Sequence, residues 1–200
     1  MKDGANFHIL NFSHTVEKNG FTEITMSMVS HTGTHIDAHC HLLEGARSLD
    51  QFPMEKFSGK ALVIPCPDKI EISFEYLLKF EETIRKVDFI LFFTGWQNKW
   101  NTPEYFMDCP VPTREAAIWL SAFNLKGIGV DALSHDKIGT AAVVNEENLP
   151  NHHIFLRKEI LLIENLTNLD KIPDGIFSFQ CFPLKIENAD CSPIRALAIL

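Results

Sequence analysis

Apolar positions along the chain fall into two periodicities. Short alternating or continuous apolar runs at HILNFS (8–13), TEITMSMV (22–29), ALVIPC (61–66), DFILFF (88–93), GIGVD (127–131) and ILLIE (160–164) predict β-strands. Residues 17–20, with Lys18, Asn19 and Gly20, supply the turn between the first two. Helical spacing appears at Leu77, Phe80 and Ile84, which predicts an amphipathic helix over 73–86. A second helix starts behind Thr113 as N-cap and carries Ala116, Trp119, Leu120 and Phe123 as a core stripe. A short helix is expected over 151–158, and the tail segments 176–184 and 194–200 read as two further strands. Residues 132–151 form a long polar loop of the kind that often covers a site.

Strand, helix and strand within about thirty residues is the signature of a parallel crossover unit, so the fold class is α/β. Two hundred residues, 46% of them hydrophobic, bury one sizeable core, which gives a single domain over 1–200. A net charge of -8 without any Lys/Arg cluster argues against nucleic acid or an anionic membrane as partner. Cys40, Cys66, Cys109, Cys181 and Cys191 form no CxxC pair, which suits reduced thiols in the cytoplasm. The opening MKDGANFHIL lacks the apolar run of a signal peptide, and no stretch approaches the ~18 apolar residues of a membrane span.

Against this background HTGTHIDAHCH (31–41) stands out, because it places four of the nine histidines and Asp37 together. Imidazole and carboxylate are the ligands that ions such as Zn2+ and Mn2+ accept. A helix would set Asp37 roughly 200° around the axis from His35, so the two could not share an ion. In an extended chain the odd positions His31, His35, Asp37, His39 and His41 point the same way, and β-branched Thr34 and Ile36 favour that form. A straight strand would still separate His31 from His35 by roughly 13 Å. The chain must therefore bend, and Gly33 is the expected place.

Further ligands have to come from elsewhere. Glu164 ends an apolar run, where an ionised carboxylate needs either a cation or a partner such as Arg195. His152 and His153 are adjacent on the short helix and diverge by about 100°, so one of them faces inward. With His31, His35 and Asp37 these residues suffice for two ions, with Asp37 or Glu164 bridging.

The motif resembles the HxGTHxDxPxH signature of the cyclase superfamily of metal-dependent hydrolases, which includes bacterial kynurenine formamidases and isatin hydrolases. The similarity continues through LFFTGWQNKW (91–100), GIGVDALSHD (127–136), NHHIFLRKEILLIENLTNLD (151–170) and FPLKIENADCSPIRA (182–196). The resemblance implies that His31, His35 and Asp37 bind a first ion. Asp37 would also touch a second ion held with His152, selected over His153, and Glu164 would bridge the two. His41 falls at the family's proton donor and acceptor. The implied fold is a mixed, barrel-like β-sheet flanked by helices, and the implied assembly a homodimer or larger homo-oligomer. The implied cofactor is one or two divalent ions, Zn2+ foremost and Mn2+ next.

Two departures stand out. His39 replaces the signature proline, and a supporting or solvent-facing role is expected for it. TVEKNGFTEI (15–24) lacks the tryptophan and proline that formamidases of the family carry there, so the resemblance implies the chemistry rather than kynurenine specificity. The expected reaction is hydrolysis of a small amide, either a formamide such as N-formylkynurenine or, alternatively, a lactam of the isatin type. A metal-binding protein without catalysis is the other alternative. Water acidified by the ion would attack, with His41 moving the proton. His14 and Trp96 are the substrate-binding candidates.

Overall fold

The computed structural model describes residues 8–67, 70–137 and 145–200. Part of the expected covering loop, 138–144, lies outside the described residues. Strands β1 (His8–His14) and β2 (Glu23–Met28) form a hairpin joined by the single turn of helix α1 (Val16–Asn19). Gly20 closes that turn in the left-handed region at φ 80°, a conformation that favours glycine.

The body is built on β3 (His35–Asp37), β4 (Ser58–Pro65), β6 (Phe89–Phe93), β8 (Gly127–Val130), β9 (Leu161–Glu164), β10 (Ile176–Gln180), β11 (Cys191–Pro193) and β12 (Leu197–Ile199). These make one eight-stranded sheet in the order β11-β3-β9-β8-β6-β4-β10-β12, curled as a half-barrel. Its centre, β4, β6, β8 and β9, is parallel as the crossover pattern predicts. Antiparallel strands extend both edges, which makes the sheet mixed. A small parallel pair, β5 (Glu71–Ile72) and β7 (Val111–Pro112), lies apart from it.

The period of two along each strand separates two apolar layers. Leu62, Ile64, Ile90, Phe92, Ile128 and Leu162 face the helices, where Leu77, Ile84, Ala117, Leu120 and Phe155 meet them. Ala61, Phe89, Leu91, Leu161 and Ile163 face the opposite layer with Ile36, Leu49, Phe177 and Phe179. Helix α4 (Arg114–Leu120) is capped by Thr113, whose hydroxyl accepts from the Ala116 amide, as expected. Trp119 packs edge-on to Phe74 and Phe123, in line with a core role.

Several expectations need correction. The helix expected over 73–86 is broken into α2 (Phe74–Leu77), a 3-10 turn (Leu78–Phe80) and α3 (Glu81–Ile84). The segment holds strong helix formers such as Leu77, Lys79 and Glu81, so packing of Leu77 and Ile84 against the helix-side core, not propensity, decides its path. The histidine stretch is extended only over His35–Asp37. A 3-10 turn at His39–His41 then ends the strand, which breaks the shared face expected of all the odd positions. Strand β11 was not foreseen, because a three-residue edge strand containing Pro193 has no readable alternation.

Candidate active site

Strand register sets the first rows of the site. Antiparallel β3 and β9 place His35 opposite Glu164 and Asp37 opposite Leu162. On the other edge of β3, β11 sets Cys191 opposite Asp37 and Pro193 opposite His35. Ile36 packs into the far layer and Leu162 into the helix-side layer. Alternation therefore turns His35, Asp37 and Glu164 toward the helices. Helix α5 (Pro150–Leu156) packs against β9 and supplies His152, whose Nε2 is 3.2 Å from Oε1 of Glu164. His153, next along the helix, is not in this cluster.

His31 arrives by the expected bend. Gly33 has φ +65°, and the chain before it folds back so that Nδ1 of His31 lies 3.0 Å from Oδ1 of Asp37. The turn is tied to β9: the Thr34 hydroxyl donates to the Asn165 carbonyl at 2.6 Å, and Nδ2 of Asn165 donates to the Gly33 carbonyl at 3.1 Å. His41 leaves the 3-10 turn with its ring 4.3 Å from that of His31 and 6.5 Å from that of His152.

Each proposed imidazole ligand has one nitrogen turned to the common centre and the other tied down. His35 donates from Nδ1 to the Gly33 carbonyl at 2.7 Å. Nδ1 of His152 meets Oδ2 of Asp136 at 2.7 Å, and that carboxylate also accepts the Asn151 and His152 amides. Nε2 of His31 meets Oδ2 of Asp190 at 3.0 Å, an oxygen that also lies 3.4 Å from Nδ1 of His41. Such outer partners fix tautomer and ring orientation in metal centres.

At the centre, Nε2 of His35, Oδ1 of Asp37 and Oε1 of Glu164 are buried without a well-aligned hydrogen bond, although Nδ1 of His31 and Nε2 of His152 lie 3.0 and 3.2 Å from the two carboxylate oxygens. Orphaned buried polar atoms are costly, and three of them converging are what a cation would satisfy. Donor atoms of His31, His35, Asp37 and Cys191 all lie within 4.8 Å of one another, as do those of Asp37, His152 and Glu164. The imidazole and carboxylate donors fit a divalent ion, with Asp37 common to both groups.

The charges agree with this arrangement. Burial alone would lower His31 and His152, but hydrogen bonds and charge from Asp37 and Asp190 raise His31 to about 9, and Asp136 and Glu164 raise His152 to about 10. Burial pushes the Glu164 carboxyl up, yet His152 and His35 outweigh it and hold it well below the usual carboxylate range. His41 is lowered, chiefly by burial and by the positive charge of His31 and His152.

The structure thus brings His31, His35, Asp37, His152 and Glu164 together with His41 beside them. It places the other expected residues elsewhere. His14, at the end of β1, pairs with Glu23 at 2.8 Å and stacks on Phe21. The Trp96 indole donates to the Tyr105 carbonyl at 3.0 Å and packs against the helix-side core. His39 is buried edge-on to Phe52 rather than solvent-facing, and burial, with Lys56 nearby, lowers it to about 4. The 3-10 turn is the reason, since it rotates His39 away from the face of His35. Sequence reasoning missed Asp136, Asp190 and Cys191. Asp136 and Asp190 sit in loops and Cys191 on a minimal edge strand, so only their place within GIGVDALSHD and FPLKIENADCSPIRA could have flagged them.

Comparison with known proteins agrees with the geometry. The family described as "Putative cyclase" matches residues 8–137. Cyclase-like protein 2 of Oryza sativa subsp. japonica is 29% identical over 190 residues, covering 91% of this chain and 66% of the rice protein. The kynurenine formamidase of Geobacillus thermodenitrificans (strain NG80-2) is 34% identical over 178 residues, covering 87% of this chain and 77% of that enzyme. Isatin hydrolase A from Labrenzia aggregata, solved bound to benzyl benzoate, superposes with a TM-score of 0.83 at 28% identity, covering 96% of this chain and 82% of that one. The chain spans 66% and 64% of the length of two rice relatives, just under two thirds. With a family match over more than half its residues, the chain belongs to the cyclase family.

Proposed function

We propose that this chain is a metal-dependent hydrolase cleaving the C–N bond of a small amide, a formamide first. The observation that carries this reading is the convergence of the orphaned atoms of His35, Asp37 and Glu164 beside half-buried His41. Kynurenine formamidase relatives support it. His31, His35 and Asp37 would hold a first ion, and Asp37, His152 and Glu164 a second, Zn2+ foremost and Mn2+ next. A divalent ion bound there supplies Lewis acidity, bringing the pKa of water toward neutrality and polarising a carbonyl.

The chain's own residues do the rest. His41 takes the proton of the attacking water and returns one to the leaving nitrogen. Asp190, 3.4 Å from Nδ1 of His41, holds the ring with Nε2 free for that transfer. Opening of a cyclic amide of the isatin type is the second reading, favoured by the likeness to isatin hydrolase A. The same chemistry would serve both.

A homodimer or larger assembly is part of the proposal. Leu10, Phe12, Ile24, Met26 and Met28 lie on one face of the β1–β2 hairpin and are exposed, an apolar face of the kind that marks an interaction surface. Reduced cysteines support a cytoplasmic setting: among the described residues, which include all five, no disulfide forms. No described helix is long and apolar enough to cross a membrane.

The test is turnover of N-formylkynurenine and of isatin by protein loaded with Zn2+ or Mn2+, with elemental analysis alongside. Cleavage of either, lost on chelation, is expected. Folded protein that takes up no metal, or loaded protein inert toward formamides, lactams and esters, would overturn the proposal.

A further inference from the structure

We propose that Cys191 is a fourth protein ligand of the first ion, completing His31, His35 and Asp37 with a thiolate. This inference rests on the metal-dependent reading above. It divides the centre into a closed, sulfur-containing position and an open one at Asp37, His152 and Glu164.

Three observations lead to it. Cys191 is the direct cross-strand partner of Asp37 in the β11–β3 pair, so its side chain leaves the sheet on the same face as that carboxylate. Its sulfur lies within 4.8 Å of the donor atoms of His31, His35 and Asp37. The same set contains Nε2 of His35 and Oδ1 of Asp37, orphaned atoms of side chains 2% and 1% exposed. No other cysteine joins such a donor set among the described residues.

Burial and the carboxylates of Asp37, Asp190 and Glu164 push the Cys191 thiol up, so only bound dications would favour the thiolate. Two dications in this buried centre would face only the carboxylates of Asp37 and Glu164 as anionic protein ligands. A thiolate from Cys191 leaves the first position neutral if Asp37 is counted there, which matters most where the surroundings are dry. Two imidazoles, a carboxylate and a sulfur form a four-coordinate set suited to zinc, and a set filled entirely by protein has no place for water. The second position keeps three protein ligands and an open place, next to His41. The Cys191 thiol contacts the Ser30 carbonyl at 3.3 Å. On coordination the S–H bond breaks, its electron pair forms the sulfur–metal bond, and one proton goes to solvent.

Thiolate is a soft ligand, so the first position should prefer Zn2+ or Co2+ over Mn2+. Metal-stripped protein is titrated with Co2+ to saturation while its absorption is recorded, and Zn2+ affinity is measured by chelator competition. An intense near-ultraviolet thiolate-to-cobalt charge-transfer band is expected. In Cys191→Ser and Cys191→Ala the band should vanish, and Zn2+ binding at one position should weaken at least about tenfold while the other position still fills. Full cobalt uptake without that band would overturn the inference and leave the hydrolase reading standing. Failure to bind cobalt or zinc at all would overturn both. Should either variant fold poorly, the wild-type spectrum still decides.

Discussion

Nδ1 of His152 donates to Oδ2 of Asp136 across 2.7 Å, and this contact aims Nε2 of His152 at Glu164. Asp136 comes from the loop after β8 and also receives the first amides of α5, so one carboxylate sets both the helix start and the ligand. Replacing it with asparagine should keep the fold but lower metal affinity roughly 10- to 100-fold, the usual loss for an outer partner of a histidine ligand. Chelator competition with Zn2+ checks this, and unchanged affinity would remove Asp136 from the site.

His41→Ala should leave metal content intact while hydrolysis falls at least about a hundredfold, the scale of a lost acid–base group. Elemental analysis and steady-state rates on the same preparation separate the outcomes. Loss of metal would make His41 a ligand, and an unchanged rate would end its proton role.

The raised pKa values of His31, about 9, and His152, about 10, give a pH dependence with a definite sign. In the metal-free protein both rings hold protons at neutral pH, so ion binding must expel them and apparent affinity rises with pH. Stability of the metal-free fold moves the opposite way. The contribution of a histidine raised on folding is fully present below the unfolded value near 6.5 and is lost as pH rises through the folded value. Melting temperatures between pH 7 and 10 should therefore fall with chelator present and hold or rise with Zn2+. Calorimetry in buffers of different ionisation heats should show proton release.

Gly33→Ala forces a Cβ into φ +65° although the space around it is open, so the expected penalty is backbone strain of about 1–2 kcal/mol rather than a clash. Because Gly33 also carries the carbonyl that orients His35, metal affinity should fall with stability. Gly33→Asn should be milder, since asparagine tolerates this conformation better. Urea unfolding and zinc titration of the two variants test the order.

The clustering of the candidate ligands was legible in the sequence because it is local. His31, His35 and Asp37 lie within seven residues, and Gly33 carries the positive φ that a turn between them requires. The parallel centre of the sheet was legible for a similar reason, since buried strands such as FILFF and LLIE are continuous apolar runs separated by helical spacing. Burial of a charge at the end of ILLIE pointed to Glu164 and the adjacent pair 152/153 to one histidine, and the resemblance selected His152 of the two. Only the tertiary structure decided where the broken helix at 74–84 turns, that His39 enters the core against Phe52, and that Asp136, Asp190 and Cys191 surround the centre. Those residues sit in loops or on a three-residue edge strand, where hydrophobic periodicity is silent. Their places are set by strand register and by hydrogen bonds spanning 16 to 159 residues of chain, which no local pattern encodes.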